Sequence, residues 1–300
     1  MQQPSESHAQ SDLAADLAAS LIDDVSYLVS PPDICVNVFD LLESDNASAR
    51  DIGEVIARDP SLTARLLRLV NSAYYNLSRK VDTVSRAITI VGVRELYSLV
   101  LAVSAIQSFS NLPNKLVNID TFWRHGIYTG LIARNLARRC KVLHPERLFV
   151  AGLLHDIGSL VLYAKMPETM RDLLLVCDGQ ENILNQAELA ELGFTHADLG
   201  GALAHTWLLP DALQEAITYH HMPDYARDAA LEAGIVHLAE ALANQSEIGA
   251  FAEASTGEAA VDPVVWPLLG MDPDDFDREA AIGEAGLQFT ETATLMLARA

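Results

Sequence analysis

Apolar residues recur at three- and four-residue steps along almost the whole chain, which is the period of an amphipathic α-helix. Leu13, Leu17 and Leu21 begin the pattern. No segment alternates apolar and polar residues over a length typical of a strand. Later helices are predicted over residues 119–140, 146–163, 167–177, 181–192, 195–207, 210–220 and 230–245, with a final helix near 281–299. The pattern therefore predicts an all-α protein.

Several residues mark the ends of these helices. The first helix must end before Pro31, because proline disfavours helix in the residue that precedes it. A new helix is predicted to start at Asp59-Pro60, since Asp59 can cap it and Pro60 suits its first position. A further helical group begins near Val84, is broken by Gly92, and reaches about residue 109.

The chain is long and apolar enough to bury a large core, so we expect one large helical domain with a terminal extension. Residues 1–10 are polar and are predicted to be a disordered tail. Residues 11–245 then form the main domain. Gly, Pro and Asp are scattered through 246–280, so residues 246–300 are predicted to be a helical extension that packs on the core.

Composition argues against secretion and against a membrane span. Residues 1–10 lack the basic segment followed by an apolar one that a signal peptide requires. The longest apolar stretch, 96–106, is shorter than the roughly 20 residues that cross a bilayer. The three cysteines show no paired spacing, which is typical of reduced thiols. We expect a soluble, cytoplasmic protein.

Charge is distributed unevenly within a formal net charge of −21. Residues 1–150 carry 15 Lys and Arg against 16 Asp and Glu, whereas residues 151–300 carry 5 against 25. The acidic half repels phosphate backbones, so nucleic-acid binding is not expected. The first half has a basic run, which is either a solvated helix surface or a docking surface for an acidic partner. Its members are Arg58, Arg65, Arg68, Arg79, Lys80, Arg86 and Arg94.

Candidate chemistry centres on an adjacent His155-Asp156 pair within an apolar helical run. An imidazole nitrogen beside a carboxylate is a donor set that divalent metals accept, and donors from several helices can form a metal site in a bundle core. The candidate ligands are His125, His155, Asp156, His196, His220, His221 and Glu240. Iron, manganese or zinc would suit them, and a water on such a metal becomes acidic enough to attack phosphorus. Alternatively, each histidine only forms hydrogen bonds in the core or lies at the surface.

Several segments together resemble HDOD proteins, which belong to the HD-domain superfamily. The most specific segment is DPSLTARLLRLVNSAY at 59–74. It is followed by SRAI at 85–88, VG at 91–92, WRH at 123–125, LHDIG at 154–158, HADLG at 196–200, WLLP at 207–210 and HH at 220–221. The resemblance covers roughly residues 25–245. It implies a multi-helix bundle with an amino-terminal subdomain (11–115) and an HD-like subdomain (116–245).

The resemblance also implies a role in bacterial signal transduction, usually without demonstrated catalysis. The related HD-GYP phosphodiesterases hydrolyse cyclic di-GMP at a metal centre. The positions that serve as ligands in those enzymes correspond here to His125, His155, Asp156, His196, His220 and His221.

Three departures from the enzymes favour a noncatalytic module. Ser159 replaces the lysine that follows the His-Asp-Ile-Gly motif, the sequence HHMPDY at 220–225 lacks Gly-Tyr-Pro, and Glu240 stands where aspartate is usual. We therefore expect a regulatory module that acts through signalling proteins, with a bound metal or a nucleotide second messenger as a further element. The alternative is a metal-dependent phosphohydrolase or cyclic-dinucleotide phosphodiesterase. A nucleic-acid-binding regulator is disfavoured by the acidic half.

Overall fold

The computed structural model describes residues 14, 17–22, 33–42, 44, 47–72, 74–75, 77–110, 115–178, 180–246 and 261–298. Its regular elements are all helical and no strand occurs among these residues, which confirms the all-α prediction. The predicted tail at 1–10 and the predicted helix end before Pro31 lie outside the described residues.

Residues 14 and 17–22 are helical, and fifteen further α-helices follow within the described ranges. They are α1 (Asp33–Leu42), α2 (Ala49–Ile56), α3 (Pro60–Val70), α4 (Val84–Val91), α5 (Val93–Phe109), α6 (Ile119–Arg139), α7 (Glu146–Leu154), α8 (Ile157–Lys165), α9 (Pro167–Cys177), α10 (Glu181–Leu192), α11 (His196–Thr206), α12 (Asp211–Thr218), α13 (Ala230–Asn244), α14 (Val265–Leu269) and α15 (Arg278–Leu297). A 3₁₀ turn, Pro223–Tyr225, lies between α12 and α13.

Local capping explains where several helices begin. Asp59 accepts a hydrogen bond from the Leu62 amide at 2.9 Å and Pro60 is the first residue of α3, which confirms the predicted start. Gly92 separates α4 from α5 with a φ of 97°, a conformation that favours glycine. Thr195 caps α11 through a reciprocal capping box with Asp198.

The predicted helix over 146–163 is present but is interrupted at His155-Asp156, which divides it into α7 and α8. Asp156 leaves the helical conformation, with φ −94° and ψ 8°. The side chains of His155 and Asp156 are both buried at this break. The segment Glu146–Lys165 is apolar and long enough to cross a membrane, but 89% of its most apolar window is buried inside the fold. Its composition is therefore explained by its place in the core.

Helix α6 is central to the packing and contacts α7, α13 and α15. Glycines allow α6 and α7 to approach closely: a Cβ atom on Gly130 would lie 2.5 Å from the Phe149 carbonyl oxygen, and one on Gly152 would lie 2.8 Å from the Cα of Gly130. This approach brings His125 on α6 beside His155 at the end of α7.

The final helix, α15, connects two parts of the fold. The Tyr128 hydroxyl of α6 donates to the Ile282 carbonyl at 2.8 Å, and Arg65 of α3 donates to the Ala298 carbonyl at 2.9 Å. Arg65 is thus buried, whereas the other members of the basic run are exposed: Arg58, Arg68, Arg79, Lys80, Arg86 and Arg94. Whether that exposed surface docks a partner stays a prediction.

Candidate metal centre

The structure brings all seven predicted ligand residues together in one buried region, here called the donor cluster. His125 lies in the middle of α6, and His155 and Asp156 form the junction between α7 and α8. The others are His196, the first residue of α11, the pair His220 and His221 just after α12, and Glu240 on α13. Five separate chain segments therefore contribute donors.

One half of the donor cluster is formed by His125, His155 and Asp156. The Asp156 carboxylate lies 3.2 Å from His155 Nε2 and 3.7 Å from His125 Nε2. One ligand atom from each of the three residues falls within 4.8 Å of the other two. Two imidazole nitrogens and a carboxylate at this spacing can bind a single divalent ion.

The other half is formed by His196, His220 and His221, whose ligand atoms also lie within 4.8 Å of one another. The other carboxylate oxygen of Asp156 lies 3.4 Å from His196 Nε2 and 4.0 Å from His220 Nε2. Asp156 therefore faces both halves of the cluster and would contribute a carboxylate oxygen to a metal held in either. Glu240 joins the cluster with its carboxylate 4.0 Å from His220 Nε2.

Hydrogen bonds fix which nitrogen faces inward in two of the rings, those of His155 and His220. Nδ1 of His155 contacts the Gly152 carbonyl at 2.7 Å, and Nδ1 of His220 contacts the Ile217 carbonyl at 2.6 Å. A carbonyl oxygen only accepts, so both Nδ1 atoms carry a proton and donate. In the neutral rings, Nε2 then holds a lone pair directed toward the cluster, as metal ligation requires.

The electrostatics of the donor cluster favour a cation at its centre. Burial alone would raise the pKa of Asp156, but the surrounding histidines, His155 first, hold it well below its usual range. Burial, reinforced by neighbouring imidazoles, lowers the pKa of His220 and His221 well below that of an ordinary histidine. An ionised Asp156 carboxylate and neutral His220 and His221 rings are the protonation states that metal ligation requires, so these residues fit a divalent metal.

The sequence analysis missed one residue of this region, Glu188 on α10. Its side chain is fully buried, and one oxygen accepts from His196 Nδ1 at 2.7 Å and from the His196 amide at 2.8 Å. A carboxylate on the outer nitrogen of a ligating histidine orients the ring and increases its basicity. Because a metal-ligating histidine usually has a carboxylate partner on its other nitrogen, the sequence analysis could have expected such a residue. The sequence does not say which Asp or Glu it is.

The donor cluster is closed to solvent on most sides. His125, His155, His196 and His220 are each at most 1% exposed, and among the histidines of the cluster only His221 is partly exposed. The α8 and α11 backbones meet at Gly158, where a Cβ atom would lie 2.1 Å from the His196 carbonyl oxygen. Ser159, which replaces the lysine of the HD-GYP enzymes, is also buried.

Several known proteins are similar to the chain. An uncharacterized protein of Treponema pallidum (strain Nichols) is 28% identical over 210 residues, which cover 68% of this chain and 40% of the relative. The chain thus matches less than half of that relative's length. A crystal structure of an HDOD domain protein of unknown function from Geobacter sulfurreducens has a TM-score of 0.74 and 24% identity, covering 95% of this chain and 97% of the other.

A third is a crystal structure of a candidate phosphohydrolase from Shewanella amazonensis SB2B. It has a TM-score of 0.69 and 25% identity, covering 92% of this chain and 97% of the other. The HDOD domain family itself matches residues 28–223, which is more than half of the sequence. The chain belongs to the HDOD domain family.

Proposed function

We propose that this HDOD protein is a noncatalytic signal-transduction module of bacteria that holds a divalent metal in the donor cluster and acts through partner proteins. The observation that carries this proposal is the combination of a complete set of donors with their burial. His155 and His220 direct Nε2 inward, and Asp156 faces both halves of the cluster. Iron, manganese or zinc suits this mixture of imidazoles and carboxylates.

Burial favours a regulatory role for the metal over turnover. A hydrolase must admit a phosphate ester to the metal, yet four of the ligand histidines are almost completely buried. Ser159 offers no positive charge to a phosphate and is itself buried. Such a site can stabilise one arrangement of α6, α8, α11 and α12, because a ligand stabilises the state that binds it.

The second candidate is a metal-dependent phosphohydrolase that acts on a nucleotide second messenger. The donor cluster retains every histidine position of the resemblance, and the chain is 25% identical to a candidate phosphohydrolase of the same fold. When bound, a divalent metal supplies a Lewis acid and an acidified water. The chain's own residues would then position that ion through Asp156 and orient His196 through Glu188.

Turnover by the metal-loaded protein separates the two candidates. Purified full-length protein is loaded with Mn²⁺, Fe²⁺ or Zn²⁺ and incubated with bis(4-nitrophenyl) phosphate and with cyclic di-GMP. We expect no hydrolysis above that of the Asp156→Asn variant. Hydrolysis that the wild type shows and Asp156→Asn lacks, while Asp172→Asn retains it, would contradict the noncatalytic proposal. Asp172 is a suitable control because its side chain is 70% exposed on α9.

A further inference from the structure

His237 on α13 connects the donor cluster to a part of the chain that contributes no ligand. It is half-buried and lies one turn before Glu240. Its Nδ1 lies 2.7 Å from the carbonyl oxygen of His220, and the backbone amide of Asp262 donates to its Nε2 at 3.0 Å. His237 and Asp262 both lie beyond residues 28–223, which match the HDOD domain family. This connection is therefore a feature of the chain that the family match does not cover.

These two contacts determine where the His237 ring carries its proton. A carbonyl oxygen only accepts, so Nδ1 must hold a proton and donate to His220. A backbone amide only donates, so Nε2 must hold a lone pair and accept from Asp262. Both contacts require the same neutral tautomer. Without the Asp262 amide, the proton is free to move to Nε2, and a lone pair on Nδ1 would then repel the His220 carbonyl.

The carbonyl of His220 matters because of its place in the chain. His220 lies just past the end of α12, and backbone carbonyls at and beyond a helix end have no intrahelical partner. His237 supplies that partner, while the His220 ring donates from Nδ1 to the Ile217 carbonyl at 2.6 Å. The main chain and the ring of His220 are therefore both held. Its Nε2 lies 4.0 Å from the Asp156 carboxylate, so its orientation affects the donor cluster.

Packing on α13 holds the segment that presents the Asp262 amide. This segment, residues 261–271, includes α14, which contacts α13. Leu269 of α14 is 7% exposed, and a Cβ atom on Gly234 would lie 3.0 Å from its Cδ1. Gly234 is one turn before His237 on α13. The docking of α14 on α13 therefore decides whether the Asp262 amide reaches His237.

We propose that His237 is a positioning residue through which the docking of residues 261–271 sets the metal affinity of the donor cluster. When the segment is docked, the Asp262 amide keeps the proton on Nδ1, and Nδ1 holds the His220 carbonyl in place. Linkage between two binding events is reciprocal, so metal in the donor cluster strengthens the docking in turn. This inference concerns regulation of the proposed metal site and rests on the proposed function, whereas the contact of His237 with Asp262 does not.

Two substitutions at position 262 isolate the backbone donor. Asp262→Ala and Asp262→Pro remove the same carboxylate, but only Asp262→Pro also removes the N–H that contacts His237. Affinity for Zn²⁺ is measured by isothermal titration of the full-length, metal-stripped protein. We expect Asp262→Pro to bind Zn²⁺ about threefold more weakly than Asp262→Ala, which is the effect of losing one ordinary hydrogen bond.

Substitutions of His237 test the ring itself. His237→Leu has no donor for the His220 carbonyl, and we expect about tenfold weaker Zn²⁺ binding, the lower end of the loss caused by removing a residue that orients a ligand. His237→Asn restores a donor near the position of Nδ1 but has no acceptor for the Asp262 amide. We expect it to bind Zn²⁺ nearly as wild type does and to be insensitive to Asp262→Pro. The matched control is His205→Leu, at an exposed histidine of α11, which should leave the Zn²⁺ affinity unchanged.

Hydrogen exchange of the metal-free protein tests the connection without metal. Loss of the Asp262 amide should loosen the main chain around His220, so peptides that cover residues 217–225 should exchange faster in Asp262→Pro than in Asp262→Ala. In wild type, added Zn²⁺ should slow exchange in peptides that cover 261–271, as reciprocity requires. Circular dichroism first establishes that each variant has the helix content of wild type.

Equal Zn²⁺ affinities of Asp262→Pro and Asp262→Ala would overturn the inference, and so would equal affinities of His237→Leu and wild type. If Asp262→Pro does not fold, the His237 variants decide, because failure of His237→Asn to recover the affinity would reduce His237 to a structural role. Protein that takes up no Zn²⁺ contradicts the proposed function and the effect on affinity, while faster exchange at 217–225 in Asp262→Pro would still establish the connection. Zn²⁺ binding that none of these variants alters supports the proposed function and overturns this inference alone.

Discussion

The close approach of α8 and α11 at Gly158 gives a quantitative prediction for Gly158→Ala. The added Cβ atom would lie 2.1 Å from the His196 carbonyl oxygen and 2.7 Å from the Gly200 amide nitrogen, whereas real contacts of this kind are almost never below 3.0 Å. Both neighbours are backbone atoms, so the two helices must separate by roughly 1 Å. Overpacking of this kind costs about 1–3 kcal/mol of unfolding free energy.

The same movement also disturbs the donor cluster, because His196 begins α11 and its Nε2 lies 3.4 Å from Asp156. We therefore expect Gly158→Ala to weaken metal binding as well as to destabilise the fold. The expected loss of stability lowers the melting temperature by about 2–4 °C for each kcal/mol.

Gly283→Ala is the matched control, because the chemical change is identical and the surroundings differ. Gly283 lies within α15, and nothing approaches within 4 Å of the position that its Cβ atom would take. Glycine inside a helix is less stable than alanine by about 0.5–1 kcal/mol, so this variant should be more stable than wild type.

Urea unfolding, followed by tryptophan fluorescence, measures both variants on the full-length protein. The expected order of midpoints is Gly158→Ala below wild type and Gly283→Ala above it. A midpoint for Gly158→Ala equal to or above that of wild type would refute the close packing of α8 against α11.

Two further predictions concern buried polar contacts. Glu188→Gln should lower the metal affinity about 10–100-fold, measured by isothermal titration, because it removes the carboxylate that orients His196. The control variant Glu191→Gln, at an exposed position, should leave the metal affinity unchanged. Equal metal affinities for the two variants would contradict the role of Glu188. Arg134→Ala should lower the free energy of unfolding, measured with urea, by about 3 kcal/mol. The reason is that the fully buried Arg134 guanidinium stacks 3.6 Å from the centre of the Tyr74 ring and donates to the Tyr74 carbonyl at 2.6 Å. A loss below about 0.5 kcal/mol, the range of ordinary surface substitutions, would contradict it.

Local sequence signals were sufficient for most helices and for their starts. Asp59 and Pro60 define the beginning of α3 by capping and by a fixed φ, both of which depend on adjacent residues only. The predicted helices over 119–140, 167–177 and 181–192 agree with α6, α9 and α10 to within one residue. The seven candidate ligands were found from residue type, spacing and family resemblance, and the structure places them together. Their role as ligands stays a prediction.

Features that depend on distant contacts could not be predicted. Apolar residues continue through the break at His155-Asp156 without proline, so the local sequence does not mark it. At the break, Asp156 lies 3.7 Å from His125 Nε2 and 3.4 Å from His196 Nε2, contacts with other helices that adjacent residues cannot reveal. Glu188 belongs to a helix whose sequence resembles a solvated one, and its burial is explained only by His196 packing against it. A cavity lined by Phe39, Leu101 and Leu213 likewise exists only because α1, α5, α7 and α12 meet there.

The metal content of the purified protein tests the central claim most directly. Full-length protein, prepared without a chelating tag, is analysed for iron, manganese and zinc beside Asp156→Asn and Asp172→Asn. The donor cluster predicts one or two equivalents of metal per chain in wild type and in Asp172→Asn, and a large loss in Asp156→Asn. Wild-type protein that is folded yet takes up no metal, even when the three ions are supplied, would contradict the account.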